Sequence, residues 1–222
     1  MVKLRNIKNA GLSIIQNLSS PVAEIGIRLQ MFDPVWGIII GMGAGLLSVW
    51  RELAEDRGVE LLEYVELHKN EFVETIVKSS EFKATFLNVW EMHIRENSKS
   101  KRQRLKRFLL NLGKGESINN DLHTKIFTVI SQMTDDEAIV FGYIIKNTNL
   151  EMKNHMNLHI DNIPELKDPT EGKLNDALLS LHSYRLITIR DTAVIGDIPT
   201  IRRITDFGDM FFKNICSDNE LN

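Results

Sequence analysis

The sequence predicts a mainly α-helical protein in two parts. Residues 1–115 read as an N-terminal helical bundle, and residues 116–222 as a second helical domain carrying one small β-hairpin. Three observations lead there. Apolar residues recur at i, i+3, i+4 and i+7 over most of the chain, the period of an amphipathic helix. Strand-like alternation is confined to two short runs, Arg185–Arg190 and Ile201–Ile204. The charge balance changes sign around Gly113-Lys114-Gly115: residues 1–117 hold 17 Lys and Arg against 14 Asp and Glu, whereas residues 118–222 hold 10 against 16.

Composition narrows the classes. Of 222 residues, 43% are apolar and 26% charged, as in folded globular chains and unlike disordered ones. The one cysteine, Cys216, excludes a disulfide framework and a four-thiolate zinc site and suits a reducing, cytoplasmic setting. In the closing helix it reads as a packing residue rather than a nucleophile. A net charge of −3 gives no general attraction to nucleic acid. Met1–Ala10 carries three basic residues, but the Gly11–Ser20 stretch behind it is too mildly apolar for a secretory leader.

Along the N-terminal part, Ser20-Pro21 is a helix start, an N-cap with proline at the first helical position, and that helix runs to about Met31. Asp33-Pro34 repeats the signal and opens segment 34–50, 17 residues without a formal charge. Gly37, Gly41 and Gly45 recur there at every fourth position and form one side-chain-free face on which another backbone can approach. Each glycine costs ~1 kcal/mol of helix propensity, so a close contact or a low-dielectric surrounding must compensate. Trp36 and Trp50 stand near its ends, as aromatic rings do at membrane interfaces. At 1.5 Å per residue the segment spans ~25 Å against a hydrocarbon core of ~30 Å. Two readings stay open: a buried or self-associating helix, and one that enters a bilayer.

Three amphipathic helices follow. Val59–Lys78 sets Leu61, Leu62, Val65, Phe72, Val73, Ile76 and Val77 opposite a solvated face of Glu60, Glu63, Glu66, Glu71 and Glu74. Ser80 caps a helix with Phe82, Phe86, Leu87, Trp90 and Ile94. Ser98 starts a third, with Leu105, Phe108, Leu109 and Leu112 inward. That third helix concentrates Lys99, Lys101, Arg102, Arg104, Lys106 and Arg107 without an intervening acid. Such a run either binds a polyanion, nucleic acid or anionic lipid, or pairs with the glutamate face of the same bundle.

In the second part, Asn119–Met133 is a helix, and Thr134-Asp-Asp-Glu137 is a capping box opening the next. After a polar stretch, Glu171–Ser183 forms a third helix with Leu174, Leu178 and Leu181 on one side. The two strands and their turn come next, and Thr205-Asp-Phe-Gly208 caps a final helix. Through LNDALLSLHSYRLITI (174–189) and RRITDFGDMFF (202–212), this order resembles winged helix-turn-helix domains of the MarR and PadR type. The resemblance implies a third helix able to enter a DNA major groove and a hairpin acting as the wing. Where that family often has a glycine before the Leu-Ile pair, this chain has Tyr184-Arg185. The third helix offers a nearly neutral set, Glu171, Lys173, Asn175, Asp176, Ser180 and His182. The hairpin region offers Arg185, Arg190, Arg202 and Arg203 beside Asp191 and Asp197. The whole chain is loosely similar to uncharacterised bacterial and mobile-element proteins, through IIIGMGAGLLSVWRELAEDRG (38–58), ENSKSKRQRLKRFLLNLG (96–113) and ITDFGDMFF (204–212). That similarity implies a prokaryotic setting of phage conflict.

No reaction is spelled out. Glu151, His155 and His159 fall at i, i+4 and i+8, which would align three metal ligands on one helix face, but a zinc site needs a fourth partner and a well-formed scaffold, and this stretch is polar and loop-like. No phosphate-binding loop, dinucleotide fingerprint or HExxH is present. The expected function is therefore a non-enzymatic effector or interaction protein without cofactor, metal or small-molecule substrate. Its glycine face would serve self-association or membrane action, and its winged helix would sense a protein partner. The alternative is a DNA-binding transcriptional regulator using the winged helix, with Arg202 and Arg203, and the basic helix 99–107.

Overall fold

The computed structural model describes residues 53–115, 120–148, 170–190 and 200–216, together with Ile25 and Ile163. Segment 34–50 with Gly37, Gly41 and Gly45 lies outside the described residues, as do Glu151, His155 and His159. Ile25, inside the helix expected after Pro21, is helical and buried. The described residues are mainly helical, eight α-helices with one two-stranded antiparallel sheet. Among them, no helix is long and apolar enough to cross a membrane. The chain divides into two compact units, Met1–His123 and Thr124–Asn222.

The first unit contains α1 (Leu53–Leu67), a 3-10 turn (Lys69–Glu71), α2 (Glu74–Val77), α3 (Ser80–Arg95) and α4 (Lys99–Lys114). Helix α3 packs against α1 and α4, and α2 against both α3 and α4. Leu61, Leu62 and Val65 of α1 meet a core of Phe82, Phe86, Val89, Trp90, Leu105, Phe108 and Leu109, all buried. Burial of a side chain of this kind contributes ~1.5–3 kcal/mol. Caps fix the helix starts: Ser79, one residue earlier than expected, accepts from the Phe82 amide at 3.1 Å, and Ser98 from the Lys101 amide at 3.0 Å. Gly115 ends α4 in the left-handed region, φ 70°.

The expected single helix over Val59–Lys78 is instead broken after Leu67. The apolar period runs through the break, so the sequence pattern carries no trace of it. The cause is tertiary. The Val73 amide donates to the Gly113 carbonyl at 2.9 Å, and the Phe72 ring occupies the space a side chain at Gly113 would need.

The second unit holds most of α5 (Asn120–Gln132), then α6 (Asp135–Thr148), α7 (Glu171–Ser183), β1 (Ile187–Arg190), β2 (Thr200–Ile204) and α8 (Asp206–Ile215). The capping box forms as expected: Thr134 N donates to Glu137 Oε2 at 2.8 Å, and Glu137 N to Thr134 Oγ1 at 3.2 Å. Helix α7 packs on α6 and β1, and α8 on α6. Leu174, Leu178 and Leu181 are buried, and Phe141 lies 6.3 Å from Phe211.

Two details of the hairpin matter below. Its register pairs Thr188 with Arg203 but Ile189 with Ile201, so Arg202 is an extra residue, a bulge. At its base, Thr205 N donates to the Leu186 carbonyl at 3.0 Å, while Thr205 Oγ1 accepts from Gly208 N at 2.9 Å and caps α8. A Cβ at Gly208 would collide with the Leu186 carbonyl, which explains glycine in the first turn of that helix.

Candidate interaction sites: two basic regions

The basic helix turns much of its charge inward. Arg102 Nε and Lys106 Nζ donate to the two carboxylate oxygens of Glu60, each at 2.9 Å. Arg102 Nη1 also reaches the carbonyls of Glu96 and Asn97, both at 3.1 Å. Arg57 Nη1 donates to the Ile94 carbonyl at 3.0 Å and its Nη2 to Asn97 Oδ1 at 2.8 Å. Two guanidinium groups thus satisfy carbonyls at and just beyond the C-terminal end of α3, where the helix dipole is negative. Lys101 pairs with Glu96 at 3.3 Å, Arg104 is fully buried, and Lys106 lies over the Tyr64 ring, 5.3 Å from its centroid. Lys99 is exposed and Arg107 half-buried. The intramolecular pairing weighed for this helix is therefore realised at Glu60, a residue read in sequence as part of a solvated face.

Two ionisable groups respond to this arrangement. Burial alone would raise the Glu60 carboxyl. Hydrogen bonding and charge from Lys106, with lesser effects of His93 and Arg102, outweigh it and hold Glu60 below the usual carboxylate range. His93 on α3 is fully buried and sits near the same charges. Burial pushes it down to about 4; the Glu60 carboxylate, the next largest influence, pulls the other way, and the cations Lys106, Arg102 and Arg57 add to the lowering. Among the described residues, neither ring nitrogen of His93 finds a hydrogen-bond partner, nor does Trp90 Nε1, one turn earlier.

The hairpin region does the reverse. Arg185, Arg202 and Arg203 are all exposed, and none forms a salt bridge among the described residues. Adjacent positions on a regular strand face opposite sides, yet the bulge leaves both Arg202 and Arg203 in solvent. Arg185 has φ +62°, the described non-glycine residue with positive φ. It is the C-terminal stop of α7: its amide donates to His182 O at 2.9 Å and the Leu186 amide to Leu181 O at 3.0 Å. Thr205 Oγ1 fixes the turn from the other side, donating to the Arg185 carbonyl at 2.5 Å.

On α7, the residues facing away from Leu174, Leu178 and Leu181 are Gly172, Asp176, Leu179 and Ser183, with Leu179 47% exposed. Lys173 and His182 flank that stripe in solvent, while Asn175 and Ser180 are half-buried. Cys216 is half-buried and directly follows α8. No group of three or more His, Cys, Asp or Glu among the described residues is placed to hold a metal ion. Sequence reasoning named the arginines but missed what presents them. Tyr184-Arg185 in place of glycine was the one visible signal.

Comparison with protein-family models, with curated proteins and with solved structures returned no match.

Proposed function

We propose that this chain is a non-enzymatic interaction protein whose C-terminal unit, winged-helix-like in its element order, grips an acidic protein surface through Arg185, Arg202 and Arg203. One observation carries the reading. Two backbone irregularities each deliver exposed arginine where a regular backbone would be cheaper. A left-handed non-glycine residue costs ~1–2 kcal/mol, which glycine would avoid. A bulge likewise disrupts its ladder locally. Irregularities of this kind persist where the presented side chain is used.

A protein partner suits these arginines better than a nucleic acid. They stand on a half of the chain with 10 basic against 16 acidic residues, whose net field disfavours a polyanion that approaches within the Debye length of ~8–10 Å. The outward stripe of α7 is mixed, with Asp176 and Leu179 where a groove-reading helix presents basic and amide side chains. The glycine-faced segment 34–50 supplies the self-association or membrane side of the same reading.

The competing reading, a DNA-binding regulator, is favoured by the same three arginines lying next to α7. Titration of labelled duplex DNA over a salt series separates the two. Weak binding, unchanged in Arg202→Ala/Arg203→Ala, is the expected result. Sequence-specific binding with a steep salt slope that those substitutions reduce would replace this reading with the regulator.

A further inference from the structure

Each unit presents an exposed leucine on an outward helix face together with charges that form no salt bridge among the described residues, acidic on α1 and basic past the end of α7 and on β2. On α1, Asp56, Glu63 and Leu67 lie on one stripe, opposite the buried Leu61, Leu62 and Val65. Leu67 is 78% exposed, and Val73, six residues on, is 43% exposed. Asp56 and Glu63 are exposed and form no salt bridge among the described residues, unlike Glu60, Glu71 and Glu74 of the same acidic series. The second unit supplies the counterpart: Leu179 on the outward stripe of α7, Arg185 just past its end, and Arg202 and Arg203 on β2. Asp176 and Lys173 of α7 are exposed as well.

We propose that the acidic partner of the hairpin arginines is a second copy of this chain, held by the α1 stripe Asp56–Glu63–Leu67. This inference rests on the protein-contact reading above and names its partner. Charge complementarity selects the occupant, since the acids of the α1 stripe and the arginines of the second unit, all exposed and without a salt bridge among the described residues, are opposite in sign. The two patches differ, so the contact either repeats head-to-tail into an open chain or a ring, or is made twice, reciprocally, across a two-fold axis. Resting on a few exposed charges and single exposed leucines, the contact is weak and salt-sensitive. An association through the uncharged segment 34–50 would not weaken with salt.

Sedimentation equilibrium over a concentration series, at low and at high salt, is the test. Wild type gains mass with concentration at low salt and loses that gain at high salt. Glu63→Arg and Arg203→Glu, both at exposed positions, each weaken association about tenfold or more by setting like charges together. An equimolar mixture of the two variants recovers wild-type association, because each reversed patch then meets its reversed counterpart. Circular dichroism of each variant confirms that the fold is retained. A wild type that stays monomeric, reversals that leave its mass unchanged, or a mixture that does not recover would overturn the proposal. None of these touches the protein-contact reading itself, which stands or falls on the DNA titration.

Discussion

Helix α4 and the hairpin are both arginine-rich, and they use that charge in opposite ways. In α4 the fold takes up much of the charge: Arg102 and Lys106 hold Glu60, and Arg104 is buried outright. In the hairpin the backbone is bent out of its ordinary course and three arginines remain in solvent. The denser run is thus the less available one. Charge density along a sequence measures how many cations exist; burial and pairing decide how many are left to meet a partner. A buried ion pair is retained at a desolvation cost, so its loss is felt as stability. An exposed arginine adds almost nothing to stability, so its loss is felt in binding.

The contrast can be broken from the α4 side first. Glu60→Ala leaves Arg102 and Lys106, with side chains 14% and 6% exposed, without their carboxylate. Urea denaturation should show a loss of about 3 kcal/mol, the scale for removing one partner of a buried pair. A loss below about 0.5 kcal/mol would mean that α4 holds its charge no more tightly than a surface helix does.

Acid provides a second test of comparable size. The fold keeps His93 neutral down to about pH 4, whereas an unfolded chain protonates it near 6.5. The unfolded state therefore binds the extra proton first. Stability is fully present above pH 6.5 and falls continuously towards pH 4, by about 3 kcal/mol in all at ~1.4 kcal/mol per pH unit. Glu60, whose carboxyl is lowered in the fold, adds a loss below its unfolded value of 4.5. Denaturation midpoints of His93→Leu between pH 6.5 and 4.5 should be much flatter than those of wild type. Parallel curves would sever His93 from the cluster.

On the hairpin side the effects are smaller and of different sign. Arg185→Gly relieves the left-handed backbone and should raise stability by about 1 kcal/mol while weakening partner binding. A melting temperature that rises with binding intact would reduce Arg185 to a helix stop. Smallest is the Arg202→Ala/Arg203→Ala pair, expected within ±0.5 kcal/mol of wild type by the same urea assay. A larger loss would place these arginines in the fold and erase the contrast.

What could be read from the sequence was what is local in it. The Thr134–Glu137 box and the Thr205-x-x-Gly208 cap each close within one turn, so residue type and spacing suffice. The leucine stripe of α7 was equally legible. The break after Leu67 was not, because Phe72 and Val73 keep the apolar period while answering to Gly113 in another helix. Glu60 was misread for a related reason: its partners stand 42 and 46 residues away. Nor does any residue type announce the bulge at Arg202, since strand register is decided by the opposite strand. The site was thus half legible, its residues visible and their presentation hidden.

Thr205 has a consequence for motion. One side chain and one amide tie the Arg185 and Leu186 carbonyls at the end of α7 to the first turn of α8. The arginine turn and the final helix therefore share a hinge pin, and neither can fray alone without breaking the bonds of the other. Hydrogen exchange at the Leu186, Thr205 and Gly208 amides is accordingly expected to proceed as one cooperative event. A partner that clamps Arg185 would slow all three together, so that binding at the hairpin is felt as rigidity at the far end of the chain.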